Sequence, residues 1–284
     1  MWPRLDLTRT YRKLRSLARQ MRSLTHSLLS AVEEYFGDEP PMVAASRPPA
    51  RPTIAAPPRA PARPTIERLT RSPDWDYGTF RQVMIALGTA GPGVYVPAHS
   101  CPRTIDILRW AVQAERMQVG TTADGRERGM VVLADTGSGS LILGRTHRGS
   151  DRQIRMDATP QSGREPYQCL VGSIHTHPAT MTAHGLSPLD YESFLSSPAL
   201  RAALVVWGEY KMLVLKTSAT PEHVAHESLL RHIRSNESEV LASGKSPILS
   251  LVDFNRAMCT EFGLAMYTTD ERGGSVLARV QVTL

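Results

Sequence analysis

Nine prolines fall between Pro40 and Pro64, among alanines and arginines, and the string Pro-Ala-Arg-Pro-Thr-Ile occurs twice, at 49–54 and 61–66. Each proline fixes φ and removes a backbone donor, so no central strand or uninterrupted helix can run through such a stretch. Few large apolar residues accompany the prolines, and residues 38–72 read as an extended, semi-rigid spacer. A plain linker is preferred to a ligand for a proline-binding partner. The spacer divides the 284 residues into a basic amphipathic segment, 1–37, and a globular unit, 73–284. Mild proteolysis is then expected to release a stable fragment beginning near residue 73.

The segment before the spacer carries a seam. Leu7, Leu14, Met21, Leu28 and Tyr35 recur every seven residues, and Leu17, Leu24 and Ala31 follow three behind, an a/d-like stripe over 4–36. Arg9, Arg12, Lys13, Arg15, Arg19 and Arg22 lie mostly off the stripe. A coiled-coil-like helix of this kind is expected to self-associate or dock on a partner, ahead of lying on an anionic surface or packing back on the main unit. The charge is equally local. Residues 1–72 hold thirteen Lys and Arg against six Asp and Glu, whereas 73–284 hold twenty against twenty-one. The basic pI therefore belongs to the N-terminal region, and a near-neutral globular unit gives no reason to expect a nucleic-acid substrate. No apolar run has the form of a signal peptide or the length of a transmembrane span, which leads to the expectation of a soluble, cytoplasmic protein. Cys101, Cys169 and Cys259 are odd in number and widely spaced, so core thiols are expected rather than a disulfide framework.

In the globular unit, short apolar runs predict strands at 94–96, 130–134, 141–144, 170–175, 203–207, 212–216 and 276–282. Helical periodicity covers 104–117, and further helices are expected to open at Pro221 and Pro247, each behind a Thr or Ser cap. Strands flanked by a few helices favour an α/β (α+β) sandwich over a bundle.

The chemistry concentrates in Gly172-Ser173-Ile174-His175-Thr176-His177-Pro178, followed by Leu186-Ser187-Pro188-Leu189-Asp190. On a strand, His175 and His177 project from one face while Thr176 points away, and Pro178 stops the strand so that the pair sits at its C-terminal rim. Taken alone, Ser187 and Asp190 are an ordinary helix start: an N-cap, a proline at the first helical position and a capping-box acid. Taken together with the histidines they form a His2Asp set, which leaves the fourth position of a zinc ion (Zn2+) for water.

The string His-x-His-Pro, a loop, then Ser-x-x-Asp resembles the signature of JAMM (MPN+ or JAB) metallopeptidases, which include isopeptidases that remove ubiquitin and their bacterial relatives. The resemblance extends over about residues 90–284, with an upstream helix and a Glu-x-Gly entry into a strand at Glu127-Arg128-Gly129. Nine residues separate His177 from Ser187, two more than the family's usual seven. The resemblance implies a JAMM/cytidine-deaminase-like mixed sheet sandwiched by helices, with zinc on His175, His177 and Asp190. It further implies Glu127 as general base, with Glu115 as the fallback, and Ser187 as donor to the oxyanion or as the group that steadies the water. The implied activity is hydrolysis of the amide after a ubiquitin-like modifier. The implied partners are that modifier or its conjugates, together with activating and conjugating enzymes. A non-catalytic scaffold and a DNA-repair-associated branch are the alternatives. The intact ligand set argues against the first; the near-neutral unit, and a threonine where that branch would carry asparagine, argue against the second. His184, His223, His226 and His232 read as surface residues, because no carboxylate or cysteine pattern supports a second metal.

Overall fold

Alternate residues of the apolar runs find two different helical layers to pack against, and this makes the runs strands. The computed structural model describes residues 63–149, 167–178, 185–222, 224–242, 247–269 and 274–281. The seam at 4–36, most of the spacer, His184 and His223 lie outside these described residues. In chain order the elements are α1 (Arg63–Leu69), β1 (Asp74–Trp75), α2 (Tyr77–Ala90), β2 (Thr104–Asp106), α3 (Leu108–Asp124), β3 (Arg128–Asp135), β4 (Ser140–Leu143), β5 (His147–Arg148) and β6 (Gln168–Thr176). They continue with α4 (Pro188–Ser196), β7 (Ala202–Trp207), β8 (Tyr210–Lys216), α5 (His226–Ala242), α6 (Pro247–Glu261), β9 (Leu264–Thr268) and β10 (Val276–Arg279).

The strands form one mixed sheet in the order β1-β2-β10-β9-β8-β7-β6-β3-β4, with β5 also pairing with β3. The pairs β1/β2 and β6/β7 are parallel and the others antiparallel. Along β7, Leu204 and Val206 enter a core shared with Phe80 and Leu87 of α2 and Trp110 and Met117 of α3. Ala203, Val205 and Trp207 enter a second core with Tyr191 and Phe194 of α4, Leu229 of α5, and Phe254 and Met258 of α6. The protein is thus mixed α/β, with helices on both faces of the sheet, and its central strands read as continuous apolar runs because both faces are buried. One close approach depends on glycine: a Cβ at Gly172 would stand 2.6 Å from the Trp110 ring. Cys101, Cys169 and Cys259 are free thiols. Among the described residues, no helix is long and apolar enough to cross a membrane.

Several expected elements differ. Residues 104–117 are not one helix: β2 occupies the first three, pairing Ile105 with Trp75 and Leu277, and Asp106 Oδ1 then accepts the Leu108 N–H at the start of α3. At 94–96 only Val96 bridges, to Thr217. No helix opens at Pro221, because Thr220 is committed elsewhere. Its hydroxyl accepts the Thr217 N–H and donates to Gly263 O, which closes a turn, and α5 begins at His226. The last strand ends at Arg279. Helix α2 and strand β9 had no counterpart among the expected elements. Helix α1 lies inside the range read as spacer. Its Pro64 falls in the first turn, where no intrahelical donor is needed, and Ile66 is buried in the α2–α3 core.

Two outcomes follow from this packing. Full burial of an Ile side chain contributes about 1.5–3 kcal/mol. A protein beginning at residue 63 should therefore exceed one beginning at residue 73 by about that much in urea unfolding, and limited proteolysis should stop before α1. Equal stabilities would mean that Ile66 is not part of the folding unit.

The second outcome concerns Lys216, which is fully buried on β8. Its Nζ donates to Ser197 O at 2.8 Å and lies 4.9 Å from the Phe194 ring centroid and 5.4 Å from that of Tyr95. Burial, and secondarily the Arg201 charge, push its pKa down to about 7. Below pH 7 the ammonium is charged in both folded and unfolded chains and its desolvation cost is fully present. Between pH 7 and 10 the folded protein has released a proton that the unfolded chain still holds, so stability rises with pH. Relative to Lys216→Met, the wild type should gain on the order of a few kcal/mol across that window. A gap between the two that does not change with pH would place a fully protonated Lys216 in the fold.

Candidate functional site

Strands β6 and β7 run parallel and end side by side, the place in an α/β sheet where ligands are bound. The His177 N–H donates to Val206 O at 2.8 Å and carries the pairing one residue past β6. His175 pairs with Val205 on one side and Gly129 on the other, which aims its imidazole, and that of His177, at the α4–α6 layer. Thr176 faces the opposite layer. Its Oγ1 lies 2.6 Å from Thr121 Oγ1 of α3 and accepts the Arg128 N–H at 3.1 Å. Gln118, one turn earlier on α3, donates from Nε2 to His177 O at 3.3 Å. The strand end is held from one layer while its imidazoles serve the other.

The carboxylate comes from α4. Ser187 is the N-cap: its Oγ accepts the Asp190 N–H at 3.3 Å, and Asp190 Oδ2 accepts the Ser187 N–H at 2.7 Å, a complete capping box with Pro188 at the first helical position. The same Oδ2 lies 3.4 Å from His175 Nε2 and 3.5 Å from His177 Nε2, and the two Nε2 atoms are 3.2 Å apart. The helix cap and the convergence on the histidines are therefore properties of one carboxyl group. Both imidazoles are buried, and the Asp190 side chain keeps 22% of its surface exposed. Burial alone would raise the Asp190 pKa, but the two imidazoles outweigh it and hold the carboxyl well below the usual range.

Contacts of 3.4 and 3.5 Å are long for N–H···O bonds. Two imidazole nitrogens and a carboxylate oxygen converge within 4.8 Å of one another, and among the described residues His175, His177 and Asp190 are the group that could hold a metal ion. Among the described residues, buried His175 Nδ1, on the far side of its ring, has no hydrogen-bond partner.

Glu127 lies between Gly125, the left-handed C-cap of α3, and the first residue of β3. It precedes Gly129, the partner of His175, by two residues and so shares the histidine face. It is buried, with Oε1 3.8 Å from His177 Nε2. Glu115 is half-exposed on α3 and engaged by Lys211 Nζ at 2.8 Å. The fold thus gathers His175, His177, Asp190, Ser187 and Glu127 and commits Glu115 to a lysine. His232 pairs with Glu261 across α5 and α6 at 3.3 Å. Gln118 and Thr121 were not picked out from the sequence. Their signal is two polar residues, one helical turn apart, on the apolar face of α3.

The hydroxyl pair offers a direct test. Removing one of two buried hydrogen-bonding partners costs about 1–3 kcal/mol, so Thr121→Val should destabilise by that order. The cost should shrink when Thr176 is already Val, because the stranded partner is then gone. Strictly additive effects in urea unfolding would mean that the two hydroxyls do not interact. In comparisons with protein-family models, curated proteins and solved structures nothing matches this chain, and the functional reading rests on its own residues.

Proposed function

We propose that the protein is a zinc-dependent peptidase of the JAMM type, which hydrolyses the amide after a ubiquitin-like modifier, either to release it from a conjugate or to trim its precursor. The observation that carries this reading is the convergence of two imidazoles and one carboxylate beside a buried glutamate. Ligand atoms around a tetrahedral zinc ion stand about 3.3–3.4 Å apart when each bond is about 2.0–2.1 Å. The three separations here are 3.2, 3.4 and 3.5 Å. Two nitrogens and one oxygen suit zinc better than magnesium or calcium, which favour oxygen ligands. Three protein ligands also match a catalytic site, which keeps one position open, better than a closed structural one.

When bound, zinc would lower the pKa of a water in the open position and polarise the scissile carbonyl. The remaining work falls to the chain's own groups. Glu127, whose Oε1 lies 3.8 Å from His177 Nε2, would accept a proton from the attacking water and return it to the leaving nitrogen. The Ser187 hydroxyl uses a lone pair for the Asp190 N–H, which leaves its hydrogen to donate to the developing oxyanion; one such donor is typically worth about 2.7–4 kcal/mol. Burial of both imidazoles and of Glu127 keeps bulk water from screening these interactions.

Metal binding and proton transfer are separable by substitution. His175→Ala, His177→Ala and Asp190→Ala should each lose zinc and activity together. Glu127→Gln should retain near-stoichiometric zinc while hydrolysis of a ubiquitin-like fusion falls by about 10²–10⁴-fold, and Glu115→Gln should stay near wild type. Metal content by atomic emission, alongside the cleavage assay, reads both halves. A fully active Glu127→Gln would overturn the assignment of the base. A wild type that binds zinc but cleaves no amide-linked modifier would instead favour a binding scaffold.

A further inference from the structure

The carboxylate of Asp190 is only as well placed as the segment 186–191 that carries it, and this segment is gripped from a third element. Asn255, on α6, has no exposed surface. Its Oδ1 accepts the Leu186 N–H at 3.1 Å and its Nδ2 donates to Leu186 O at 3.3 Å, so one amide closes on both backbone groups of the residue before the Ser187 cap. The Tyr191 hydroxyl, from the residue after Asp190, donates to the same Oδ1 at 2.9 Å and lies 3.4 Å from Asn255 O. Leu186 and Tyr191 are both buried. The segment carrying Ser187 and Asp190 is therefore pinned at its two ends by one side chain 65 positions downstream of the aspartate.

The chain is shaped to permit this grip. Gly185 has φ +110°, and a Cβ there would stand 2.6 Å from Asn255 Nδ2 and 2.8 Å from Met212 Cε. Glycine alone meets both the backbone conformation and the close approach. The chemistry also selects an amide. A carboxylate could accept from Leu186 N–H and Tyr191 but could not donate to Leu186 O, and an alkyl side chain could do neither. The cap itself needs no such support, because Ser187 and Asp190 satisfy each other. What the clamp adds is the position of the capped helix start relative to β6.

We infer that Asn255, acting through Leu186 and Tyr191, is a positioning residue that sets the Asp190 carboxylate against the His175 and His177 imidazoles and so tunes metal affinity. The inference rests on the metal-site reading above. Groups that orient a metal ligand from behind typically change affinity by about 10–100-fold when removed.

Two variants test it in the full chain. Asn255→Ala removes the clamp. Tyr191→Phe removes one arm and keeps the ring packed edge-on against Phe254, with centroids 5.8 Å apart, so it remains informative if the first variant folds poorly. Hydrogen exchange without metal reads the Ser187 amide, which bonds to Asp190 Oδ2. Chelator competition reads zinc affinity. Reduced protection of that amide, with zinc affinity weakened by about tenfold to hundredfold in Asn255→Ala and by less in Tyr191→Phe, is the expected result. A merely structural role would lower the melting temperature while the folded variants bound zinc as tightly as wild type, and that outcome overturns the positioning role alone. A wild type that takes up no zinc overturns the metal site and this inference together.

Discussion

An extended chain sends successive side chains to opposite faces, and at the end of β6 both faces are occupied. The imidazoles of His175 and His177 enter the layer of α4, α5 and α6, while the hydroxyl between them reaches Thr121 on the other side of the sheet. A slip of one residue would exchange these roles and turn the histidines toward the α3 layer. Pairing on both sides, to Gly129 and to Val205, prevents that slip. The position of Glu127 has the same origin, since it is two residues from Gly129 on an antiparallel neighbour.

The polar groups that surround this strand end come from separate stretches of sequence and are engaged with partners. From α3, Gln118 holds the His177 carbonyl and Thr121 the Thr176 hydroxyl, the Ser187 cap presents the carboxylate from α4, and Asn255 grips the residue before that cap from α6. A comparable device works at the opposite margin of the sheet. Among the described residues the Arg201 guanidinium has no carboxylate partner there; it donates to the carbonyls of Leu87, Gly91, Leu170 and Ala199, joining the end of α2 to β6. Arg201 and Asn255 are both met mainly by backbone groups, which ties elements together without a second ionised group.

What could be read from the sequence followed the range over which each signal acts. The strand carrying His175, the cap at Ser187 and the face shared by the two histidines depend on neighbours a few residues apart, and each was legible. The general mixed α/β class was also legible, because β7 and β8 are apolar on both faces. Strand β2 was not, because Thr104–Asp106 continues a helical pattern and becomes a strand only through pairing with Trp75 and Leu277. Thr220 resembled a cap until its hydroxyl found Gly263, 43 residues away. The preference for Glu127 over Glu115 rested on resemblance, and their different surroundings are set by β3 pairing and by Lys211. Asn255 carried no local signal, since an asparagine within a helix is ordinary until its partners are known.

The double duty of Asp190 has a consequence for how such a site can change over time. As a capping residue it needs only an oxygen that accepts the Ser187 N–H, and asparagine supplies one. As the proposed metal ligand it needs the negative charge as well. A single exchange of Asp for Asn would therefore discharge the centre while leaving the first turn of α4, the clamp and both cores intact. On the proposed reading, loss of the metal at this point would carry almost no structural penalty, because neither the cap nor the cores depend on the charge. The reverse exchange would restore the charge on a framework already built to present it.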